Sequence, residues 1–271
     1  MQINLGQATL NYELEGPEDA PVVMFSHSLA ADLTMFDAQM PAFRDAGYRT
    51  LRYDMRGHGA SPAPEEAQQS IRMQDLAGDA VALMDHLNIA SVHWVGLSMG
   101  GMIGQVLGHD HGARVDSLAL TSTSSYIPQD MAPIWDERIA IARTHGMGVI
   151  ADGTIERWFT EPAIAAPHPA IDPVKAMIQQ TSVEGFTACV GAIKQWRFRD
   201  QLGAITTPTL VVQGRHDPST TVEAGEVIAA RIPGARLEVV EDASHFANVE
   251  QPDRWTALVK GWVDAQSGRA A

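Results

Sequence analysis

The chain has 271 residues, with 19 Lys and Arg against 33 Asp and Glu, a formal charge of −14 and a single cysteine. This length can bury a full hydrophobic core, and one cysteine allows neither an internal disulfide nor a thiolate metal cluster. So acidic a surface repels nucleic acid and anionic membranes, and neither a signal-peptide pattern nor a membrane-length apolar run is visible, so we expect a cytoplasmic globular protein.

Strand and helix patterns alternate through the first 121 residues. Short apolar runs predict strands at residues 9–15, 22–25, 49–53, 92–96 and 118–120. An amphipathic helix is expected over residues 73–89, because its apolar residues recur at helical spacing. Such alternation is typical of an α/β protein with a mostly parallel sheet covered by helices.

The alternation stops between residues 122 and 204, where helical patterns are interrupted by prolines and no strand is visible. Strand patterns return at residues 209–212 and 237–240, followed by helices at 221–231 and 252–265. We therefore predict a core of residues 1–121 and 205–271 with a helical insertion at 122–204. The insertion contains seven Lys and Arg and nine Asp and Glu residues, so most of the negative charge lies in the core.

The clearest chemical motif is Gly96-Leu97-Ser98-Met99-Gly100, a G-x-S-x-G pattern between a strand and the apolar helical stretch 102–107. A tight turn at this point forces the serine into a strained conformation, and the glycines on either side avoid a collision. The hydroxyl is then exposed at the carboxyl edge of the sheet, near a helix N-terminus. This context predicts that Ser98 is a nucleophile.

A serine nucleophile needs a base and an acid that orients the base. Asp217 follows the strand at 209–212 and His245 follows the strand at 237–240, so both belong to the same sheet edge as Ser98. His216 cannot be the base, because Asp217 is its direct neighbour in sequence and could not fold back to orient it. Asp242 is better explained as a turn residue than as the acid that orients the base. The predicted triad is Ser98, Asp217 and His245.

Acyl transfer also needs N–H donors for the developing oxyanion. One donor is the amide of Met99, and the register of the turn after residues 22–25 assigns the other to the amide of Leu29. His27 is then a structural residue of this turn, with direct substrate contact as the alternative. In the polar loop 54–61, we expect Arg56 to pair with a carboxylate.

No cofactor or metal is implied by the motifs. The Gly57-His58-Gly59 stretch lacks the last glycine of a dinucleotide fingerprint, and no phosphate-binding loop is present. His109 and His111 lie where a helix is expected to end, without a third ligand at suitable spacing.

Together these motifs resemble the α/β-hydrolase superfamily over essentially the whole chain. The resemblance implies an eight-stranded, mostly parallel sheet flanked by helices, with residues 122–204 as a helical cap. Within the superfamily the chain is most similar to the 3-oxoadipate enol-lactonases. The matching segments include residues 26–29, 52–59 and 96–101 and, inside the cap, 135–138, 146–147, 157–160 and 184–186. Enol-lactonases tend to carry Asn at the position of His27.

The resemblance implies a serine hydrolase that opens a small carboxylated enol-lactone through an acyl-enzyme, in the catabolism of aromatic compounds. Because such a substrate is anionic, we expect a cationic cap residue at the pocket, first Arg138 and then Arg197 or Arg199. The alternative is that each arginine pairs with a neighbouring Asp or Glu, and Trp135 is either a pocket wall or part of the cap core. The alternatives are a carboxylesterase, a carbon–carbon bond hydrolase or a cofactor-free haloperoxidase-like esterase on the same fold. A non-enzymatic small-molecule receptor is the alternative from another class.

Overall fold

A computed structural model describes residues 1–63, 71–166 and 168–268 of the chain. These residues form one eight-stranded sheet. Its strands are β1 (Gln2–Asn4), β2 (Thr9–Glu15), β3 (Val22–Ser26), β4 (Arg49–Tyr53), β5 (Val92–Leu97), β6 (Val115–Thr121), β7 (Thr209–Gly214) and β8 (Arg236–Val240). Their order is β1-β2-β4-β3-β5-β6-β7-β8, and only the pairs β1–β2 and β2–β4 are antiparallel. The predicted mostly parallel sheet is confirmed.

The described residues also form eleven α-helices, most of which pack on the sheet or lie between β6 and β7. They are α1 (Met40–Asp45), α2 (Met73–His86), α3 (Met99–Asp110), α4 (Ala132–His145), α5 (Met147–Trp158), α6 (Glu161–Ala165), α7 (Ile171–Gln180), α8 (Val183–Lys194), α9 (Val222–Arg231), α10 (Ala247–Glu250) and α11 (Pro252–Gln266). The helix α3 packs on β5 and β6 and contacts α2, whereas α9 packs on β7 and β8. The helices α1 and α11 contact each other and the sheet. This arrangement leaves the carboxyl ends of the parallel strands at one edge, where ligands bind in such sheets.

Between β6 and β7 the chain forms the helices α4 to α8, and we refer to residues 122–204 as the helical segment. Its described residues add no strand to the sheet and make only an isolated bridge between Tyr126 and Arg197. The segment packs closely on the loop after β4, because the N–H and hydroxyl of Ser182 donate to the carbonyl of Gly57 at 3.0 and 2.8 Å. A Cβ atom on Gly185 would lie 2.5 Å from Cα of Gly57, so the two backbones touch at this point.

Most predicted elements lie where the sequence pattern indicates. The bounds of β2 and β4 agree with the prediction, and Arg56 pairs with Asp79 through two hydrogen bonds of 2.5 and 2.6 Å. The strand β1 was missed, because three partly exposed residues carry no alternation that a pattern could reveal. The helix α3 begins at Met99, directly after Ser98, and includes the predicted apolar stretch 102–107. Residues 64–70 and 269–271 of the predicted core and residue 167 of the predicted insertion lie outside the described residues.

None of the helices in the described ranges is both long and apolar enough to cross a bilayer.

Candidate active site

Ser98 lies in a strained turn between β5 and α3. Its φ of 56° and ψ of −109° are unusual for a residue with a side chain, and such a conformation costs of order 1–3 kcal/mol. The turn is held by a 2.9 Å bond from the Ser98 N–H to the carbonyl of Thr121 and a 2.7 Å bond from the Thr123 hydroxyl to the carbonyl of Ser98. A Cβ on Gly96 would collide with the carbonyl of Gly100. Glycine is therefore required beside the serine, as the motif predicts.

Asp217 and His245 meet at the same sheet edge. Nδ1 of His245 lies 2.7 Å from Oδ2 of Asp217, and both residues are buried. The hydroxyl of Thr220 donates to the same Oδ2 at 2.6 Å, and the amides of Ser219 and Thr220 donate to Oδ1 at 2.7 and 3.0 Å. Burial alone would raise the pKa of Asp217, but the charge of His245 and these hydrogen bonds hold it below its usual value. The carboxylate is thus ionised and can orient the imidazole.

Ser98 and His245 line one small cavity of about 60 Å³ between the sheet edge and the helical segment. The other lining residues are Ser28, Leu29, Met102, Ile127, Trp135, Arg138, Arg157, Trp158, Ile193, Ser219 and Thr220. A larger cleft of about 670 Å³ is lined by residues such as Thr160, Ser244 and Glu250. Neither Ser98 nor His245 lines this cleft, so the small cavity is the candidate site of chemistry.

The two amides predicted to bind an oxyanion make no hydrogen bond to protein within the described residues. Neither the N–H of Leu29 nor that of Met99 donates to a protein acceptor there. Leu29 lines the cavity, and Met99 directly follows Ser98 at the start of α3. Both amides are therefore available to a ligand atom, which is what an oxyanion site requires.

His27 fixes the turn that carries Leu29. Its Nδ1 donates to the carbonyl of Ser28 at 2.7 Å, and its Nε2 accepts from the N–H of Met55 at 2.8 Å. In a trans peptide the carbonyl of Ser28 and the N–H of Leu29 point in opposite directions, so a bond that holds the carbonyl also orients the amide. His27 is fully buried and does not line the cavity, which favours the structural interpretation over substrate contact.

Two arginines of the helical segment line the cavity together. Nη2 of Arg138 and Nη2 of Arg157 both donate to the hydroxyl of Thr154, at 3.3 and 3.2 Å. Arg138 also lies over the Trp135 ring, with its Cζ 5.1 Å from the centroid. Burial and the nearby charge of Arg157 lower the pKa of Arg138 to about 10, and burial lowers that of Arg157. Within the described ranges, no carboxylate forms an ion pair with either guanidinium.

The expectation that Arg197 or Arg199 faces the pocket is wrong. Their Cζ atoms lie 4.9 and 4.6 Å from the centroid of the Tyr126 ring, and neither residue lines the cavity that contains Ser98. Both cations stack on an aromatic ring of their own segment instead. Trp135 does line the cavity, and its buried Nε1 has no partner among the described residues, so this donor is free for a ligand.

Sequence reasoning missed Arg157, Trp158 and Thr220 as lining residues. The first two lie in the stretch 157–160, which resembles the enol-lactonases, and this resemblance was the signal that could have identified them. Thr220 carries no such signal, because a threonine three residues after an acid is common in turns.

The comparisons with known proteins identify the family of the chain. The alpha/beta hydrolase fold family matches residues 21–144 and 170–252. The chain is 36% identical over 251 residues to 3-oxoadipate enol-lactonase 2 of Acinetobacter baylyi, covering 93% of this chain and 91% of that protein. The enol-lactonase structure from Burkholderia xenovorans LB400 is similar with a TM-score of 0.92 and 34% identity, over 97% of this chain and 99% of that one. A malate-bound thermophilic esterase from Thermogutta terrifontis has a TM-score of 0.89 and 27% identity, over 96% and 94% of the two chains.

The chain therefore belongs to the α/β-hydrolase family. This finding confirms the hydrolase class and the similarity to enol-lactonases that the sequence motifs indicate.

Proposed function

We propose that the chain hydrolyses a small carboxylated ester or lactone, with an enol-lactone of the 3-oxoadipate type as the preferred substrate. The observation that carries this proposal is the pair of partly buried arginines without a carboxylate partner among the described residues, Arg138 and Arg157, which line the cavity that also contains Ser98 and His245. The similarity to enol-lactonases supports the same substrate class.

In the proposed mechanism, Oγ of Ser98 attacks the lactone carbonyl while His245 takes its proton. Asp217 holds the imidazole in the tautomer that accepts this proton, and the amides of Leu29 and Met99 stabilise the oxyanion. Collapse of the intermediate breaks the ring C–O bond, and His245 passes the proton it took from Ser98 to the leaving oxygen. The ring-opened acyl-enzyme then carries an enol, which rearranges to the ketone. Water activated by His245 then attacks the acyl-enzyme, and the free carboxylic acid leaves as Ser98 regains its proton.

A carboxylate on the substrate would neutralise charges that the protein leaves uncompensated. Two guanidiniums that share one hydroxyl repel each other, and each loses hydration in the cavity. A hydrogen bond between charged groups contributes about 1.5–3 kcal/mol, so a bound carboxylate gains most where two such donors converge. Under this proposal the helical segment acts as a cap that recognises the substrate, while the core carries the chemistry. A cytoplasmic location stays a prediction.

A hydrolysis panel tests the activity. We expect turnover of carboxylated enol-lactones to exceed that of saturated lactones and neutral nitrophenyl esters. The Ser98→Ala variant should lose about 10⁴-fold or more of kcat, because no other group can form the acyl-enzyme. The control is Ser91→Ala, a partly exposed serine that does not line the cavity, and it should keep wild-type turnover.

The outcomes of the panel separate the alternatives. Turnover of neutral esters without turnover of the enol-lactone would identify a carboxylesterase. Negligible turnover of every substrate, with saturable binding, would favour the receptor. Full activity of Ser98→Ala would contradict the mechanism itself.

Substitution of the two arginines tests the anionic substrate. The Arg138→Gln and Arg157→Gln variants should each raise KM for a carboxylated ester about 10-fold or more, since each removes a charged donor. KM for a neutral ester of the same shape should change less than about threefold. The control is Arg143→Gln, an exposed arginine of the same helix α4. Equal losses on charged and neutral esters would rule out anion recognition.

A further inference from the structure

Glu250 is a buried carboxylate that no step of the proposed mechanism uses. It is the last residue of α10, and only 5% of its surface is exposed. Its Oε2 accepts from the N–H of Ser244 at 2.8 Å. Its Oε1 accepts from the N–H of Thr160 at 2.9 Å and also from the Thr160 hydroxyl. The side chain therefore joins the turn that precedes His245 to the stretch that follows α5.

The partners of Glu250 explain why a carboxylate is needed. All three groups that point at it are donors, and none of the described Lys, Arg or His side chains forms an ion pair with it. A buried charge without a cation is unfavourable unless its hydrogen bonds are complete. An amide in the same place would turn its NH₂ group toward the N–H of either Ser244 or Thr160, and two donors cannot bond to each other. Only a carboxylate can accept from both N–H groups.

Further bonds connect the same two parts of the chain on both sides of His245. The Ser244 hydroxyl donates to the carbonyl of Arg157 at 2.9 Å, and the N–H of Phe246 donates to the carbonyl of Trp158 at 3.1 Å. The rings of Trp158 and Phe246 stack with centroids 3.9 Å apart. His245 is thus bracketed by residues bonded to the stretch 157–160, which also places Arg157 and Trp158 at the cavity.

We propose that Glu250 is a positioning residue, which holds the His245 turn and the substrate-facing stretch 157–160 in one fixed arrangement. Glu250 lines the larger cleft and not the cavity of Ser98, so it acts through Ser244 and Thr160 and touches no reacting atom. The inference rests on the proposed role of His245 as the base. Its consequence is that the base and the substrate-binding wall keep their relative positions during turnover.

The test compares Glu250→Gln with the wild type on a neutral ester and on a fluorophosphonate probe, which reacts only with an activated serine. We expect kcat and the labelling rate to fall together by about 10- to 100-fold, because a small displacement of a catalytic base is enough for such a loss. KM should change less than about threefold. Rates are taken per labelled active site, well below the unfolding temperature of each variant, so a loss of stability alone leaves them unchanged.

Three further variants make the result specific. Thr160→Val keeps the N–H donor and should lose at most about threefold in kcat, whereas Ser244→Ala removes the bond to Arg157 and should lose more. Glu161→Gln, an exposed acid on the same cleft, should match the wild type.

Wild-type kcat and labelling in Glu250→Gln would overturn the positioning role. If Glu250→Gln does not fold, Glu250→Asp, which shortens the side chain by one methylene and so loosens its bonds to Ser244 and Thr160, decides by the same criterion. Absence of labelling in the wild type would overturn the proposed function instead, so the two failures are distinguishable.

Discussion

The imidazole of His27 joins the loop after β3 to the loop after β4. Its Nδ1 donates to Ser28 and its Nε2 accepts from Met55, so both bonds exist only in the neutral ring with the proton on Nδ1. A second proton on Nε2 would face the N–H of Met55 and would place a charge in a fully buried site. Burial accordingly lowers the pKa of His27 to about 4.

This lowered pKa makes stability depend on pH. In the unfolded chain His27 takes up a proton below pH ~6.5, whereas the folded chain binds it only near the lower pKa. Its contribution to the free energy of unfolding is therefore complete above pH ~6.5 and falls as the pH drops toward 4, by about 2 kcal/mol between pH 6.5 and 4.5. Urea unfolding of the wild type and His27→Asn at these pH values measures the difference. His27→Asn should lose about 2 kcal/mol less than the wild type, and parallel losses would contradict the assignment.

At the scale of elements, close backbone contacts hold the site together. The elbow between β5 and α3 needs Gly96 and Gly100, because a side chain at either position would collide with backbone carbonyls. The contact between Gly57 and Gly185 brings α8 against the loop after β4. The helical segment is therefore seated directly on the core, without side chains between the two backbones at this point.

Local sequence patterns predicted most of the strands, though not β1, and three residues of the candidate site. Ser98, Asp217 and His245 each follow a strand with a clear apolar pattern, and parallel strands bring their carboxyl ends to the same edge. The strand order of the sheet therefore brings the three residues, each predicted from its own local pattern, into one cluster. The positive φ of Ser98 was likewise expected from the G-x-S-x-G motif, whose glycines two residues before and after the serine permit the tight turn.

Side-chain contacts between different elements could not be predicted from such patterns. Arg157 meets Arg138 only because α4 and α5 pack so that both reach Thr154, and a sequence does not give a packing angle. Thr160 and Glu250 are 90 residues apart, so no local spacing links them. The sequence suggests that Arg197 or Arg199 binds the substrate, but in the structure both guanidiniums stack on the ring of Tyr126.

At the scale of the whole molecule, the charge distribution opposes the proposed substrate at long range and favours it at short range. The chain carries a formal charge of −14, which repels a carboxylate that approaches from solvent. The guanidiniums of Arg138 and Arg157 act at the cavity, where both are partly buried. The two effects differ in their sensitivity to salt, because solvent ions screen surface charges more strongly than buried ones.

This difference predicts an unusual salt dependence. Raising the salt concentration from 10 to 150 mM shortens the screening length from about 30 Å to about 8 Å, which weakens the long-range repulsion more than the contact with the two arginines. The kcat/KM for a carboxylated ester should therefore rise by roughly twofold to fivefold, because each encounter then requires less electrostatic work. A neutral ester of the same shape is the control and should show no change. Steady-state kinetics on both esters across this range makes the measurement. If kcat/KM for the carboxylated ester instead decreases with salt, attraction by the arginines extends beyond the cavity and outweighs the net charge.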